Sequence, residues 1–148
     1  LLLSVGVGSV GNTADTKSAA HHIQTKISSI IQSAKNECGN TFQVSKSGVK
    51  LIDLNSDGEI DLGVVDEAGY SCTELGSSMY CGSGGCSVHL ITVNDYLSGA
   101  AQGWEIITTR YDEQVILMSL HGSSCSEPGN RVCYFTVSIA DGDLIYQK

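Results

Sequence analysis

Positive charge is what this sequence has least of. Eight lysines and arginines stand against sixteen aspartates and glutamates, a formal net charge of −8 over 148 residues. Nucleic acid and anionic membrane surfaces both select a basic face, so neither suits this chain as a partner. A field of this sign attracts cations or a basic protein. Long apolar runs are missing too: no stretch approaches the roughly 18 apolar residues of a membrane-spanning helix. There is one proline and no internal repeat, low-complexity run or interdomain linker. The six cysteines include no C-x-x-C pair, which argues against a zinc site and against a catalytic dithiol.

What is present suits a globular domain. The hydrophobic fraction is 41% and the charged fraction 16%, in a chain long enough to bury most of its apolar surface. The expected organisation is a single domain over residues 15–148, preceded by an apolar segment over residues 1–14. That segment, LLLSVGVGSVGNTA, reads as the end of an export signal or as an ordered edge strand. Cysteines at 38, 72, 81, 86, 125 and 133 form an even set, which points to three disulfides in an oxidising compartment. The expected pairing joins Cys81 to Cys86 and Cys125 to Cys133, leaving Cys38 with Cys72, one of fifteen possible connectivities.

Between Asp15 and Cys38 the residues Ala19, Ile23, Ile27, Ile30, Ala34 and Cys38 step by three or four, which defines one helical face. Thr13 or Asp15 is placed to cap its start, and Gly39 to stop it. His21 and His22 point about 100° apart on such a helix, so they form a solvated polar face and no chelating pair. From residue 41 the period drops to two. Strands are expected at TFQVS, VKLIDL, EIDLGVV, SVHLITV, GWEIITTRY, QVILMSL, VCYFTVSI and LIYQ, with Tyr111-Asp112-Glu113 as a hairpin turn. The fold class is α+β: one long N-terminal helix packed on a mainly antiparallel sheet and stapled by disulfides.

The stretch DLNSDGEID, residues 53–61, places four carboxylates in nine positions, where like charges oppose one another. The spacing D-x-N-x-D-G-x-x-D suits an oxygen-only calcium loop. Positions one, three, five and nine supply side-chain oxygens, position six is the glycine of a sharp turn, and position seven offers its carbonyl. The expected ligands are Asp53, Asn55, Asp57 and Asp61, with the backbone carbonyl of Glu59. Position twelve is Val64, so the loop is no EF-hand, and its flanks read as strands. A polar β-turn, in which Asp and Asn bond their own backbone, is the competing reading.

Two resemblances follow from these motifs. The loop alone, about a dozen residues, resembles the strand-loop-strand calcium sites of FG-GAP repeats in β-propellers. It occurs once, so the resemblance implies the ion and not the propeller. The order DLNSDGEIDLGVVD, Cys72, CGSGGC, Trp104, SLHGSSC and Cys133, roughly residues 36–140, resembles a family of small exported bacterial proteins of unknown function. That resemblance implies export, disulfides and a single compact domain, and no activity.

Catalytic motifs are weak. Gly82-Ser83-Gly84 lacks the G-x-S-x-G elbow, and Cys125 has a disulfide partner in Cys133 that silences its thiolate. CGSGGC reads as a disulfide-closed turn. His121 is expected to hydrogen-bond at a strand end and His89 to sit within a strand. Trp104 and Tyr134 are expected in the core. The functional expectation is therefore a non-enzymatic, exported, calcium-binding domain, periplasmic or secreted by a bacterium, with affinity of roughly 10⁻⁴–10⁻³ M for the ion. The alternative is a periplasmic inhibitor or immunity protein that caps a cationic enzyme, such as a lysozyme or a toxin.

Overall fold

The computed structural model describes residues 13–76 and 79–147. The expectation for the apolar segment 1–14 thus lies outside the described residues, apart from Thr13 and Ala14, which open a helix. This helix, α1, runs over Thr13–Cys38. Asp15 therefore lies inside its first turn and does not cap it. Ile23, Ile27, Ala34 and Cys38 are buried at the predicted helical spacing, with Ile30 and Ile31 half-buried beside them. The Gly39 N–H donates to the Lys35 carbonyl at 2.7 Å and closes the last turn. His21 and His22 are exposed.

Eleven strands follow: β1 (Phe42–Val44), β2 (Val49–Ile52), β3 (Leu62–Asp66), β4 (Tyr70–Cys72), β5 (Cys81–Gly82), β6 (Gly85–Ile91), β7 (Tyr96–Ala101), β8 (Gly103–Thr108), β9 (Gln114–His121), β10 (Val132–Ala140) and β11 (Asp143–Gln147). Among the described residues these eleven strands pair only antiparallel, in three sheets, so the fold is α+β and mostly β. A central sheet has the order β2-β3-β6-β7, with β5 alongside the start of β6. A second sheet is a meander, β8-β9-β10-β11, in which every strand pairs with its sequence neighbour. β1 and β4 form a small separate ladder.

These elements stack as helix, central sheet and meander. Because alternate strand residues face opposite ways, β3 supplies both interfaces. Val65, with Ile91 of β6, packs against Ile23 and Ile27 of α1. Leu62 and Val64, with Val88 and Leu90, pack against Ile116, Met118, Val137 and Leu144 of the meander. Burial on both faces explains why LGVV is a continuous apolar run and not an alternating one. The sheets are also tied by a polar contact: Trp104 Nε1 donates to Asp66 Oδ2 at 2.9 Å. At the end of the helix, Tyr70 packs edge-on against Phe42 and Tyr80, at centroid distances of 5.0 and 5.2 Å, next to the Cys38–Cys72 bridge. The other two bridges join Cys81 to Cys86 and Cys125 to Cys133, as expected.

The strands and core depart from the sequence reading at three further places. β4, β5 and β7 were not anticipated as strands; Cys81–Gly82 is the first arm of the hairpin that CGSGGC closes, and YLSGAA has no apolar alternation and becomes a strand through its ladder to β6. The single sheet under a helix is two sheets under a helix, plus the β1–β4 ladder. Tyr134 is 62% exposed, not core. Its neighbours explain this: Trp104 and Phe135 both stand opposite Met118, which is in the inter-sheet core, so Tyr134 must point to the other face of the meander.

Helix and sheet approach each other closely at Gly63. A Cβ there would lie 2.5 Å from Ile23 Cγ2 and 2.9 Å from Ile27 Cδ1. Gly63→Ala should therefore overpack the interface and cost about 1–3 kcal/mol in urea denaturation at unchanged m-value. A variant as stable as the wild type would refute this account of the helix contact.

Candidate functional site

The loop 53–61 leaves the central sheet at the end of β2 and returns at the start of β3. Its neck is closed twice. Asp61 N–H donates to the Ile52 carbonyl at 3.0 Å, and Asp61 Oδ2 accepts the Leu54 N–H at 2.8 Å. Inside the neck the chain turns on left-handed residues, Ser56 (φ 61°) and Gly58 (φ 90°). The second of these is the sixth position of the motif, where a residue without Cβ is needed.

The acidic side chains bind the loop's own amides. Asp53 accepts from Asp57 N at 3.3 Å through Oδ1 and from Gly58 N at 2.7 Å through Oδ2. Asn55 Oδ1 accepts from Asp57 N at 3.0 Å, and Asp57 Oδ1 from Glu59 N at 2.8 Å. The structure thus brings Asp53, Asn55 and Asp57 onto one turn and sets Asp61 at its neck. It also realises the backbone-bonded polar turn that competes with the calcium reading. Among the described residues, no three His, Cys, Asp or Glu side chains come together as a metal-holding group. The donor set is nonetheless suited to a hard cation. A carboxylate has about four lone-pair positions, and these hydrogen bonds use two on Asp53 and one each on Asp57 and Asp61.

A cleft of about 950 Å³ opens beside the loop. Asp57, Glu59 and Asp61 line one side. Asp112 and Glu113, from the β8–β9 turn, and Asp141, from the β10–β11 turn, line the other. Six of the chain's sixteen acidic residues thus face one space, and no lysine or arginine lines it among the described residues. From the sequence Asp112 and Glu113 read only as a hairpin turn, and Asp141 was not singled out. Asp112 (φ 64°) and Asp141 (φ 52°) are readable as turn residues, but nothing local says that their turns face the loop.

The remaining sequence candidates are accounted for structurally. His121 Nδ1 lies 2.7 Å from Ser123 Oγ and accepts the Ser123 N–H, capping the 3-10 turn Gly122–Cys125 at the end of β9. Cys125 is disulfide-bonded to Cys133. Cys81 and Cys86 stand directly opposite in the β5–β6 hairpin, so CGSGGC is a stapled turn. The Tyr70 hydroxyl is buried without a hydrogen-bond partner. Burial first, and the Glu67 carboxylate second, push its phenol well above the ordinary range, so it stays neutral at physiological pH.

Asp61 has a structural task that needs no ion. Asp61→Ala should destabilise the chain by about 1 kcal/mol in chelator, through loss of the neck bond to Leu54. Equal stability by urea denaturation in chelator would show that the neck holds without it. Comparison with protein-family models, curated proteins and solved structures finds no match to this chain.

Proposed function

We propose that the chain is an exported, disulfide-stapled, non-enzymatic domain whose Asp53–Asp61 loop takes a calcium ion. The observation that carries this reading is the folded turn. Asp53, Asn55 and Asp57 are drawn together by the amides of Asp57, Gly58 and Glu59, and each keeps acceptor positions for a cation. Asp61 and the Glu59 carbonyl complete the donor set. The ion would relieve repulsion among carboxylates held close by a loop closed at its neck. The three bridges fit an oxidising compartment. Among the described residues no helix is long and apolar enough to cross a membrane.

At millimolar calcium and a Kd near 10⁻⁴ M, binding adds about 1.4 kcal/mol to stability, or about 3–6 °C in Tm. Wild type should melt higher in calcium than in chelator, and Asp57→Ala should melt alike in both. Identical wild-type curves would leave the loop as a polar turn.

A second reading has its own support, the acidic cleft. Six carboxylates on three loops, unopposed by a cation on the cleft wall, suit steered docking of a cationic protein. In this reading the chain is a periplasmic inhibitor or immunity protein and the cleft edge is the docking face. Immobilised chain should then retain a basic lysozyme or toxin at low salt and release it at high salt, and Asp112→Asn with Glu113→Gln should weaken retention. Absence of salt-sensitive capture from a panel of such proteins would exclude it.

A further inference from the structure

Glu67, His89 and Tyr96 lie away from the loop and its cleft, and they form a connected set. In the β6–β7 ladder His89 stands opposite Ser98 and Ile91 opposite Tyr96, so His89 and Tyr96 are diagonal neighbours on one face of the central sheet. It is the face that α1 covers, because His89 also stands opposite Val65 of the helix-side core. His89 Nδ1 lies 2.8 Å from the Tyr96 hydroxyl, and His89 Nε2 lies 3.0 Å from Glu67 Oε1. Glu67 is placed by the 3-10 turn Glu67–Gly69 that follows β3, whose start is fixed by Asp66 Oδ1 accepting the Ala68 N–H. The imidazole and carboxylate side chains are only 12% and 18% exposed, whereas Tyr96 is 41% exposed. The imidazole and carboxylate are shielded, and Tyr96 is the most exposed residue of the three.

The proton positions follow from the partners. An ionised carboxylate only accepts, so the neutral imidazole carries its N–H on Nε2, toward Glu67. Nδ1 is then the acceptor, and the Tyr96 O–H donates to it. That is the order of a nucleophile relay: a carboxylate fixes the tautomer, an imidazole receives the proton and a hydroxyl attacks. Lys26 of α1 adds a positive charge over the Tyr96 ring, 4.5 Å from its centroid. Among the described residues, the hydroxyls of Tyr111, Tyr134 and Tyr146, all exposed, have no imidazole partner.

We propose that Tyr96 is a nucleophilic phenol, activated by His89 and positioned through Glu67, that accepts an acyl group from an activated acyl donor. The phenolic oxygen bonds to the carbonyl carbon, and the bond from that carbon to the leaving group breaks. The phenolic proton passes to His89 Nδ1 and then to the departing group, leaving an aryl ester and a neutral base. No oxidant or reductant is needed.

N-Acetylimidazole, applied to the folded chain at neutral pH and followed by peptide mass spectrometry, tests this. Exposure alone favours Tyr134, at 62%, over Tyr96. A positioned base instead should make Tyr96 acetylate about tenfold faster than Tyr134, a conservative share of the 10²–10⁴-fold that such bases contribute. His89→Gln and Glu67→Gln should each remove the advantage while the Tyr134 rate, an internal measure of intact folding, stays constant. The proposal is overturned if wild-type Tyr96 reacts no faster than Tyr134, or if Tyr96 keeps its lead in both folded variants. Should either variant unfold, the wild-type ratio and the other variant decide.

Discussion

Everything in this fold hangs on a strand that must satisfy two neighbours at once. β3 buries Leu62 and Val64 toward the meander, and Val65 toward α1, with Gly63 lying under Ile23 and Ile27. A strand buried on both faces cannot slip by one residue, because a slip exchanges the two cores and puts a side chain where only Gly63 fits. Its register is pinned, and so is the start of whatever is attached to it. The loop 53–61 runs directly into β3, with Asp61 as the last residue before Leu62. A strand buried on both faces thus adjoins the acidic loop.

That adjacency organises the electrostatics. The acidic excess is not spread evenly, since six carboxylates gather where the loop of one sheet meets two turns of the other. Holding them there costs Coulomb energy that solvent screening reduces and a bound cation would cancel. Backbone amides offset part of it, because each N–H turned onto Asp53, Asn55 or Asp57 supplies a local positive pole. The opposite end of the central sheet is treated differently. There the aromatic cluster of Phe42, Tyr70 and Tyr80 and the Cys38–Cys72 bridge provide apolar and covalent closure.

Local signals made much of this legible. The helix face from Ile23 to Cys38, the alternating runs that became β8, β9 and β10, and the hairpin turn at Asp112 each depend on periodicity or turn chemistry within a few residues. The cysteine pairs 81–86 and 125–133 were legible because they are close in sequence. What escaped depends on partners far along the chain. Tyr96–Ala101 is a strand because β6 offers it a ladder. Tyr134 is exposed because Phe135, not Tyr134, shares the row of Met118 and Trp104. The second sheet itself was hidden, since an apolar run such as LGVV states that both faces are covered without stating by what. Asp141 joined the cleft from the far end of the sequence, and Glu67 reached His89 across 22 positions.

The meander carries a kinetic consequence. β8 to β11 pair only with sequence neighbours, within residues 103–147, so each ladder closes a short loop and loses little chain entropy in doing so. The central sheet is different, because β3 must wait for β6 across an intervening 3-10 turn and two short strands. Low sequence separation favours early closure of the meander hairpins, whose inner face carries Ile116, Met118 and Val137. A chain with the meander closed and the β3–β6 ladder still open would leave that apolar face uncovered, the condition under which self-association competes with folding.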